Sequence, residues 1–481
     1  MEERARELAS KPQALVVAAA GCGKTELLAK SVAVSAGPKR QLVLTHTHAG
    51  VRVLRERLKR LGVSPSLFRV ETIDGFSLRY AGAFPKISTC MTLEPTESCD
   101  WVSVREACKR ALENRHVRHV FERSYAGFYV DEYQDCTMSQ HQLILRLAEL
   151  LPCRAVGDPL QAIFGFDKND PLPDWDREVA PHFERLEDLT EPHRWLREGA
   201  NAELGRWLGQ VRTALNGSSW RVPLLNETPV QWVKASSDGP SLQVNRCFVL
   251  NRTCGADSVV VMHNLPNKAH WFAKRLDGCY QSMEEVESKD LLKFCGQIEA
   301  SSGLKRADRV MEVACKCIVR TKPLKAFRDA LRKGRLSTRS KVVQDHPELL
   351  AALEAVARDG SFSSVAEALG LIKSIHGVRL HRREVFNDMI KTCRIYDPAS
   401  EPNLRKTAWK VRDAGRRYGR YLPKRLVSRA LLIKGLEFDH VIVLDADAIQ
   451  NSKDLYVALT RATKSLTVFS KTPHLDSNQP R

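Results

Sequence analysis

The stretch that most constrains this chain runs from Ala14 to Leu28, Ala-Leu-Val-Val-Ala-Ala-Ala-Gly-Cys-Gly-Lys-Thr-Glu-Leu-Leu. The apolar run Ala14 to Ala20 predicts a buried parallel strand. Gly21, Cys22 and Gly23 predict a loop that only small residues permit, and Lys24-Thr25-Glu26 open a helix. A strand, a tight loop and a helix N-terminus in that order make a phosphate cradle. Backbone N–H groups from Ala20 to Glu26 point at an anion that the helix dipole favours. In such a loop Lys24 reaches the terminal phosphates of a nucleotide such as ATP, and the Thr25 hydroxyl ligates Mg²⁺. Ala18 stands where the generic pattern has its first glycine. The alternative, a glycine-rich turn with no ligand, leaves the Lys-Thr pair without a purpose.

Downstream, strands alternate with helices. Gln41 to His48 and Phe68 to Ile73 read as strands, Ala49 to Leu61 as a basic helix, and Ser77 to Arg123 as irregular helix. Ala126 to Asp135 starts as a strand, Ser139 to Leu151 reads as a helix, and Cys153 to Val156 as a further strand. Such β-α alternation predicts an α/β fold with helices on both faces of a parallel sheet, ligands sitting at the carboxyl ends of the strands. Asp131 and Glu132 end one apolar strand at that same edge. The pair suits a carboxylate that holds Mg²⁺ through water, Asp131, beside one that orients or deprotonates an attacking water, Glu132. The competing reading is a helix N-terminus that prefers acids.

Net charge over the 481 residues is +18, with a pI near 9.4, which suits a polyanionic partner. From Glu401 to Ala430 ten Lys and Arg meet two acids, interleaved with Trp409, Tyr418 and Tyr421. Cys315 to Lys341 is also basic. Either run alone could be a solvated helix face; both beside a nucleotide site favour nucleic acid. The 13 cysteines show no CxxC pairing and are read as reduced thiols without a metal cluster. No apolar run approaches the roughly 18 residues of a membrane span, and the charged start lacks a signal-peptide core, so a cytoplasmic location is expected.

These residues carry a resemblance. Val130-Asp-Glu-Tyr-Gln-Asp135 with Gly157-Asp-Pro-Leu-Gln161 resembles motifs II and III of superfamily 1A DNA helicases of the UvrD/Rep/PcrA type. Leu189-Thr-Glu-Pro-His-Arg194 resembles motif IV, and Leu250-Asn-Arg-Thr253 resembles the strand that follows it. Lys434-Gly-Leu-Glu-Phe438 resembles motif V and Tyr456-Val-Ala-Leu-Thr-Arg-Ala462 motif VI. The motifs keep the family's order across most of the chain.

The resemblance implies two RecA-like P-loop NTPase domains with mostly helical insertions. The first would span 1–188 with a small insertion at about 77–125, the second 189–481 with an insertion at about 285–425. ATP would lie between them, held by Lys24, Thr25, Asp131 and Glu132 from the first. Gln161 would sense the γ-phosphate, Arg194 and Arg461 would act from the second domain as arginine fingers, and Gly435 and Glu437 would lie near the nucleotide. Single-stranded DNA would meet His46, Thr72, Phe164 and Phe166, the two phenylalanines as stacking platforms.

One departure from the family pattern lies in the phosphate loop, Ala19 where these helicases often carry glycine; the others concern the base and the DNA contacts. The family's adenine-reading glutamine has no counterpart, Glu3 lying about where it would fall, and His193 replaces the tyrosine that stacks on adenine. Asp74 and Leu431 replace histidines, and Asp167 stands where the family faces DNA with a cation. The expected activity is an ATP-dependent, single-strand-stimulated translocase or helicase moving 3′→5′ on single-stranded or tailed duplex DNA. The alternative is a nucleotide-gated sensor that regulates a partner such as a nuclease. The compact chain, its P-loop almost at the start and Asp74-Gly75-Phe76 after motif Ia, also resembles the helicase subunit of Gabija-type anti-phage systems, so anti-phage defence is an expected setting beside the DNA repair that the UvrD-type resemblance implies.

Overall fold

The structure is a computed structural model that describes residues 1–481 except 91–98, 166, 226–227, 236–239, 286–287, 335–340, 359, 419–421 and 478–481. Its contacts divide the chain into two units. One joins Met1–Pro229 to Gln450–Lys464 and the segment from Asp476; the other joins Val230–Ile449 to Ser465–Leu475.

The first unit is built on a six-stranded sheet. Its strands are β1 (Gln13–Val17), β2 (Arg40–Thr45), β3 (Phe68–Thr72), β4 (Tyr125–Val130), β5 (Cys153–Gly157) and β6 (Glu184–Arg185), in the spatial order β3-β2-β4-β5-β1-β6. Every ladder between them is parallel. The apolar runs are continuous because both faces are covered. Leu15, Leu42, Leu44, Phe128 and Ala155 face one layer of helices, and Val16, Val43, Val70, Tyr129 and Val156 face the other. Burying each aliphatic side chain there stabilises the fold by about 1.5–3 kcal/mol.

Helices α1 (Glu2–Ser10), α2 (Lys24–Val34) and α3 (His48–Arg60) cover the second face. On the first face lie α4 (Ile73–Ala83), α5 (Pro85–Ser88), α6 (Trp101–Glu113), α7 (Arg115–Ser124) and α8 (Met138–Ala148). The helical stretch after β3 shares the sheet's core instead of forming one of its own. Phe76 meets Tyr80 at 4.7 Å and Phe121 at 6.0 Å, and Phe121 meets Tyr125 at 5.5 Å. Helix starts follow local chemistry: Thr47 caps α3, Thr72 caps α4, and Thr137 with Gln140 forms a capping box on α8. A last helix of this unit, α9 (Ala202–Leu215), starts at the Asn201 cap.

The second unit holds another six-stranded sheet, in the order Gln281–Ser282, Arg425–Ser428, Val259–Met262, Phe438–Val443, Ala462–Ser470 and Val230–Lys234. Four of its ladders are recorded, all parallel. Between its first two strands the chain leaves for a run of helices from Lys289 to Tyr418. These bury a core of their own around Phe294, Met311, Phe327, Leu353, Phe386 and Met389. The fold is therefore α/β, with two parallel sheets and a mostly helical insertion.

One expected strand is a helix. Leu250-Asn-Arg-Thr253 ends the helix Ser241–Thr253, in which Cys247 and Leu250 are buried three residues apart. That spacing is helical, whereas a strand would put the two on opposite faces. The basic run from Glu401 is also partly structural. Buried Arg412 is clasped by Glu384 and Asp388, Trp409 packs on the helical core, and Lys406 and Lys410 pair with Glu401. Tyr421 lies outside the described residues.

Candidate nucleotide site

The glycine loop leaves β1 through Ala18, which bridges to Leu189, and turns through left-handed Gly21 (φ 73°) and Gly23 (φ 88°). Neither position tolerates a side chain. A Cβ on Gly21 would fall 2.6 Å from the Trp195 ring and 2.8 Å from the Arg194 Cβ; on Gly23 it would meet Met1 and, at 3.4 Å, His193. Glycine therefore supplies both the conformation and the close approach. Lys24 is buried, its ammonium 3.2 Å from the Ala18 carbonyl and 3.9 Å from Glu132 Oε2. Thr25 and Glu26 sit in the first turn of α2, Glu26 paired with Arg57 at 3.2 Å.

The ends of β4 and β5 supply the carboxylates. Asp131 is 3% exposed and accepts the Glu132 N–H at 3.1 Å. Burial, reinforced by the like charge of Glu132 and opposed by Lys24, pushes the Asp131 carboxyl upward from its usual range. A divalent cation beside it would relieve both effects, and the Thr25 hydroxyl and Asp131 carboxylate are oxygen donors of the kind that would hold Mg²⁺. Glu132 adopts a left-handed backbone (φ 55°), uncommon for a non-glycine and a strain found at functional sites. Its side chain is held by the Gln134 amide.

From Gln134 a chain of polar contacts continues. Its carbonyl oxygen accepts the Asp158 N–H at 2.8 Å, and the Gln161 amide donates to Asp158 Oδ2 at 2.7 Å. Arg461, 1% exposed, reaches Gln161 Oε1 at 3.4 Å and donates to the Val457 carbonyl at 2.9 Å. Arg212 on α9 donates to Asp158 Oδ1 at 2.7 Å and to the Tyr456 hydroxyl at 3.3 Å. That hydroxyl accepts the Ala20 N–H of the glycine loop at 3.2 Å.

Arg194 is held on both sides. Its N–H donates to Gly21 at 3.1 Å and its guanidinium to the Thr460 carbonyl at 2.7 Å, while the neighbouring Trp195 indole donates to Ala462 at 2.7 Å. Arg194 and Arg461 both belong to the unit that carries the glycine loop, and the contact division falls at 230. His193 lies over Gly23 with a side chain 42% exposed, open to a flat ligand. Gly435 (φ 81°) and Glu437 lie in the second unit, in the exposed turn before the strand Phe438–Val443.

Residues 2–167 match the AAA domain family AAA_19. The first unit carries a P-loop nucleotide-binding domain. Among solved structures, the arterivirus non-structural protein 10 helicase aligns at 12% identity with a TM-score of 0.34, covering 98% of this chain and 62% of that one. The same helicase in complex with DNA aligns at 15% identity and a TM-score of 0.27, covering 55% and 50%. This chain thus spans under two thirds of the length of either neighbour. No curated protein sequence matches it. Among the described residues no helix is long and apolar enough to cross a membrane.

The expected strand contacts fall differently around the P-loop domain. Thr72 is 8% exposed and spends its hydroxyl on the Gly75 N–H. His46 lies 3.4 Å from the Cys136 sulfur, Phe164 is half-buried, and Phe166 lies outside the described residues. Asp74 accepts Arg105 at 2.8 Å and Gln140 at 3.1 Å, and Arg105 continues to buried Asp170 at 2.8 Å. Asp167 closes a local turn on the Asn169 N–H. Asp158, Gln134, Trp195 and Arg212 were not singled out from the sequence. Asp158 and Gln134 lay inside quoted motifs and Trp195 directly followed one, whereas Arg212 carries no local signal.

Proposed function

We propose that this chain is a nucleic-acid-stimulated ATPase of the helicase type that uses ATP and Mg²⁺ to move on single-stranded DNA, 3′→5′ by its resemblance to UvrD-type helicases. The observation that carries this reading is the polar chain from Glu132 through Gln134, Asp158 and Gln161 to Arg461. A hydrolase needs only the carboxylate and the lysine; a motor must also report the state of the γ-phosphate. Gln161 would make that report, a reading supported by its one amide touching both a buried carboxylate and a buried guanidinium.

In this reading Lys24 and the loop N–H groups bind the phosphates, and bound Mg²⁺, on Thr25 and Asp131, neutralises phosphate charge. Glu132 orients water and takes its proton, and Arg461 and Arg194 offset charge developing on the γ-phosphoryl group. His193 faces the base. Gly435 and Glu437 would contribute to nucleotide binding, and His46, Thr72, Phe164 and Phe166 would border the strand path.

The test compares ATP hydrolysis with and without single-stranded DNA for the wild type, Lys24→Ala and Glu132→Gln. DNA should raise the wild-type rate, and both variants should lose it. An unstimulated wild type, or an active Glu132→Gln protein, sinks the motor reading. A second reading, a nucleotide-gated sensor for a partner nuclease in defence or repair, is favoured by one observation. Asp74, at a position where the family contacts DNA, is fully engaged by Arg105 and Gln140. Unwinding of a tailed duplex by the isolated chain argues against it.

A further inference from the structure

The opposite edge of the first sheet has an electrostatic character that the nucleotide site does not use. The carboxyl ends of β1, β4 and β5 hold the nucleotide residues. At the amino ends of β2 and β3, about 15–20 Å away by strand rise, lie two adjoining cavities of about 410 and 230 Å³. Arg40 and Arg69 line both. The larger is walled by Arg40, Arg55, Lys59 and Arg69 over an apolar floor that includes Phe68 and Val70, and no carboxylate lines it. The smaller adds Arg79, which shares the Glu71 carboxylate with Arg69.

Five cations thus surround one open trough with a single carboxylate between them. Arg40 donates to the Ser66 carbonyl at 2.9 Å and Arg55 to the Val70 carbonyl at 2.8 Å. Among the described residues neither these two nor Lys59 forms an ion pair, although each is exposed. Like charges crowded at one edge repel, which costs stability unless an anion joins them. Guanidinium groups fixed through one N–H to the backbone keep their remaining donors for planar, bidentate acceptors such as phosphate.

We infer that this trough is a second nucleic-acid contact, binding the phosphodiester backbone at the sheet edge opposite the ATP site. Two joined cavities sharing Arg40 and Arg69 favour an extended polyanion over a single small phosphate, and the one carboxylate there, Glu71, is held by Arg69 and Arg79, so the contact is independent of sequence. The inference rests on the proposed nucleic-acid partner, but it is read by binding and not by turnover.

The experiment measures anisotropy of a labelled single-stranded oligonucleotide across a salt series, for the wild type and for Arg40→Gln/Lys59→Gln. Single strands lose about 0.7 in the log–log salt slope per phosphate contact. The double variant should therefore lower the slope by about 1.4 and keep the basal ATPase rate. A charge-matched control, Arg185→Gln/Arg206→Gln, should keep the wild-type slope. An unchanged slope in the trough variant, an equal shift in the control, or no oligonucleotide binding at all overturns the assignment. So does inorganic tripolyphosphate binding by the Lys24→Ala protein that the trough substitutions abolish without changing the slope, since that marks a small-phosphate site. Failure of the motor reading looks different: the slope shifts as expected while DNA leaves the ATPase rate unstimulated.

Discussion

Both units bury charged side chains, and the comparison shows what a buried charge does and does not signal. In the second unit Arg382, 7% exposed, donates two parallel bonds to Glu284 at 2.8 and 2.6 Å and also meets Asp290. Arg412 is clasped as closely by Glu384 and Asp388. Each of these cations has its acids. They join the helical insertion to the strand that precedes it and to itself. In the first unit Asp131 is buried beside a second carboxylate with one lysine 3.9 Å from that neighbour, and Glu132 sits on a strained backbone. The second unit's pairs are complete in themselves. The first unit's two carboxylates stand close together near a single lysine, and a divalent cation would offset their like charge. Burial alone marks structure; burial with an unbalanced charge marks a site.

The largest expected effect breaks the incomplete side. Glu132→Gln removes a carboxylate that carries like-charge repulsion, so the melting temperature should hold or rise while the turnover rate falls by about 10²–10⁴-fold, the usual weight of a general base. A thermal shift and a steady-state ATPase assay on one preparation decide this. A large loss of stability would make Glu132 structural.

On the complete side, Arg382→Met should cost about 3–5 kcal/mol of stability, because it leaves the Glu284 carboxylate buried without a partner. Denaturant unfolding measures it, and nucleotide binding to the first unit below the transition should be unchanged. Arg382→Met/Glu284→Leu should recover most of the loss. If the double variant stays as unstable as the single, the pair contributes more than mutual neutralisation.

Arg212 tests the join between the two classes. It is paired with Asp158, as a structural arginine would be, yet it also touches the hydroxyl that holds Ala20. Arg212→Ala should cost about 1.5–3 kcal/mol in stability, the range for a charge-assisted hydrogen bond. It should also weaken nucleotide binding, because Tyr456 loses one of its anchors. A stability loss with unaltered nucleotide affinity would place Arg212 with Arg382.

The sequence made the nucleotide half of this contrast legible because that chemistry is local. Gly21, Gly23, Lys24 and Thr25 lie within five residues, and the strand run before Asp131 placed it at the same edge as the loop. Arg212 and Trp195 were invisible because their partners are distant in the chain: Asp158 and Tyr456 for one, Ala462 for the other. The basic run after Glu401 was legible as charge but not as pairing, since Glu384 and Asp388 come from another helix. Leu250 to Thr253 is expected as a strand through the motif resemblance alone, and the helical spacing of Cys247 and Leu250 within Ser241–Thr253 decides for a helix. Asp74, a departure when set against a motif, is an ordinary ion-pair partner once Arg105 is placed.

The smallest effect sharpens the contrast through pH. His381 in the second unit is 2% exposed, and its backbone is pinned by bonds to Cys317 and Ser282. Burial, together with the nearby charges of Arg382 and Lys274 and the ring of His270, holds its pKa down to about 3. The unfolded chain titrates near 6.5. Above that value neither state carries the proton, and the residue is silent. Between about 6.5 and 3 the unfolded state takes up a proton that the folded state refuses, so stability falls as the solution is acidified, by at most about 1.4 kcal/mol per pH unit. His381→Gln should flatten that decline while leaving stability near pH 7.5 within about 1–2 kcal/mol of the wild type, a typical cost for one buried polar substitution. Unfolding midpoints at pH 5 and 7.5 for both proteins measure the difference. Parallel declines would move the acid sensitivity to other groups, His270 and His141 first, since burial lowers both. His141 belongs to the first unit, so an acid response that follows it would show that the nucleotide-binding unit, not the insertion, is the weaker of the two in acid.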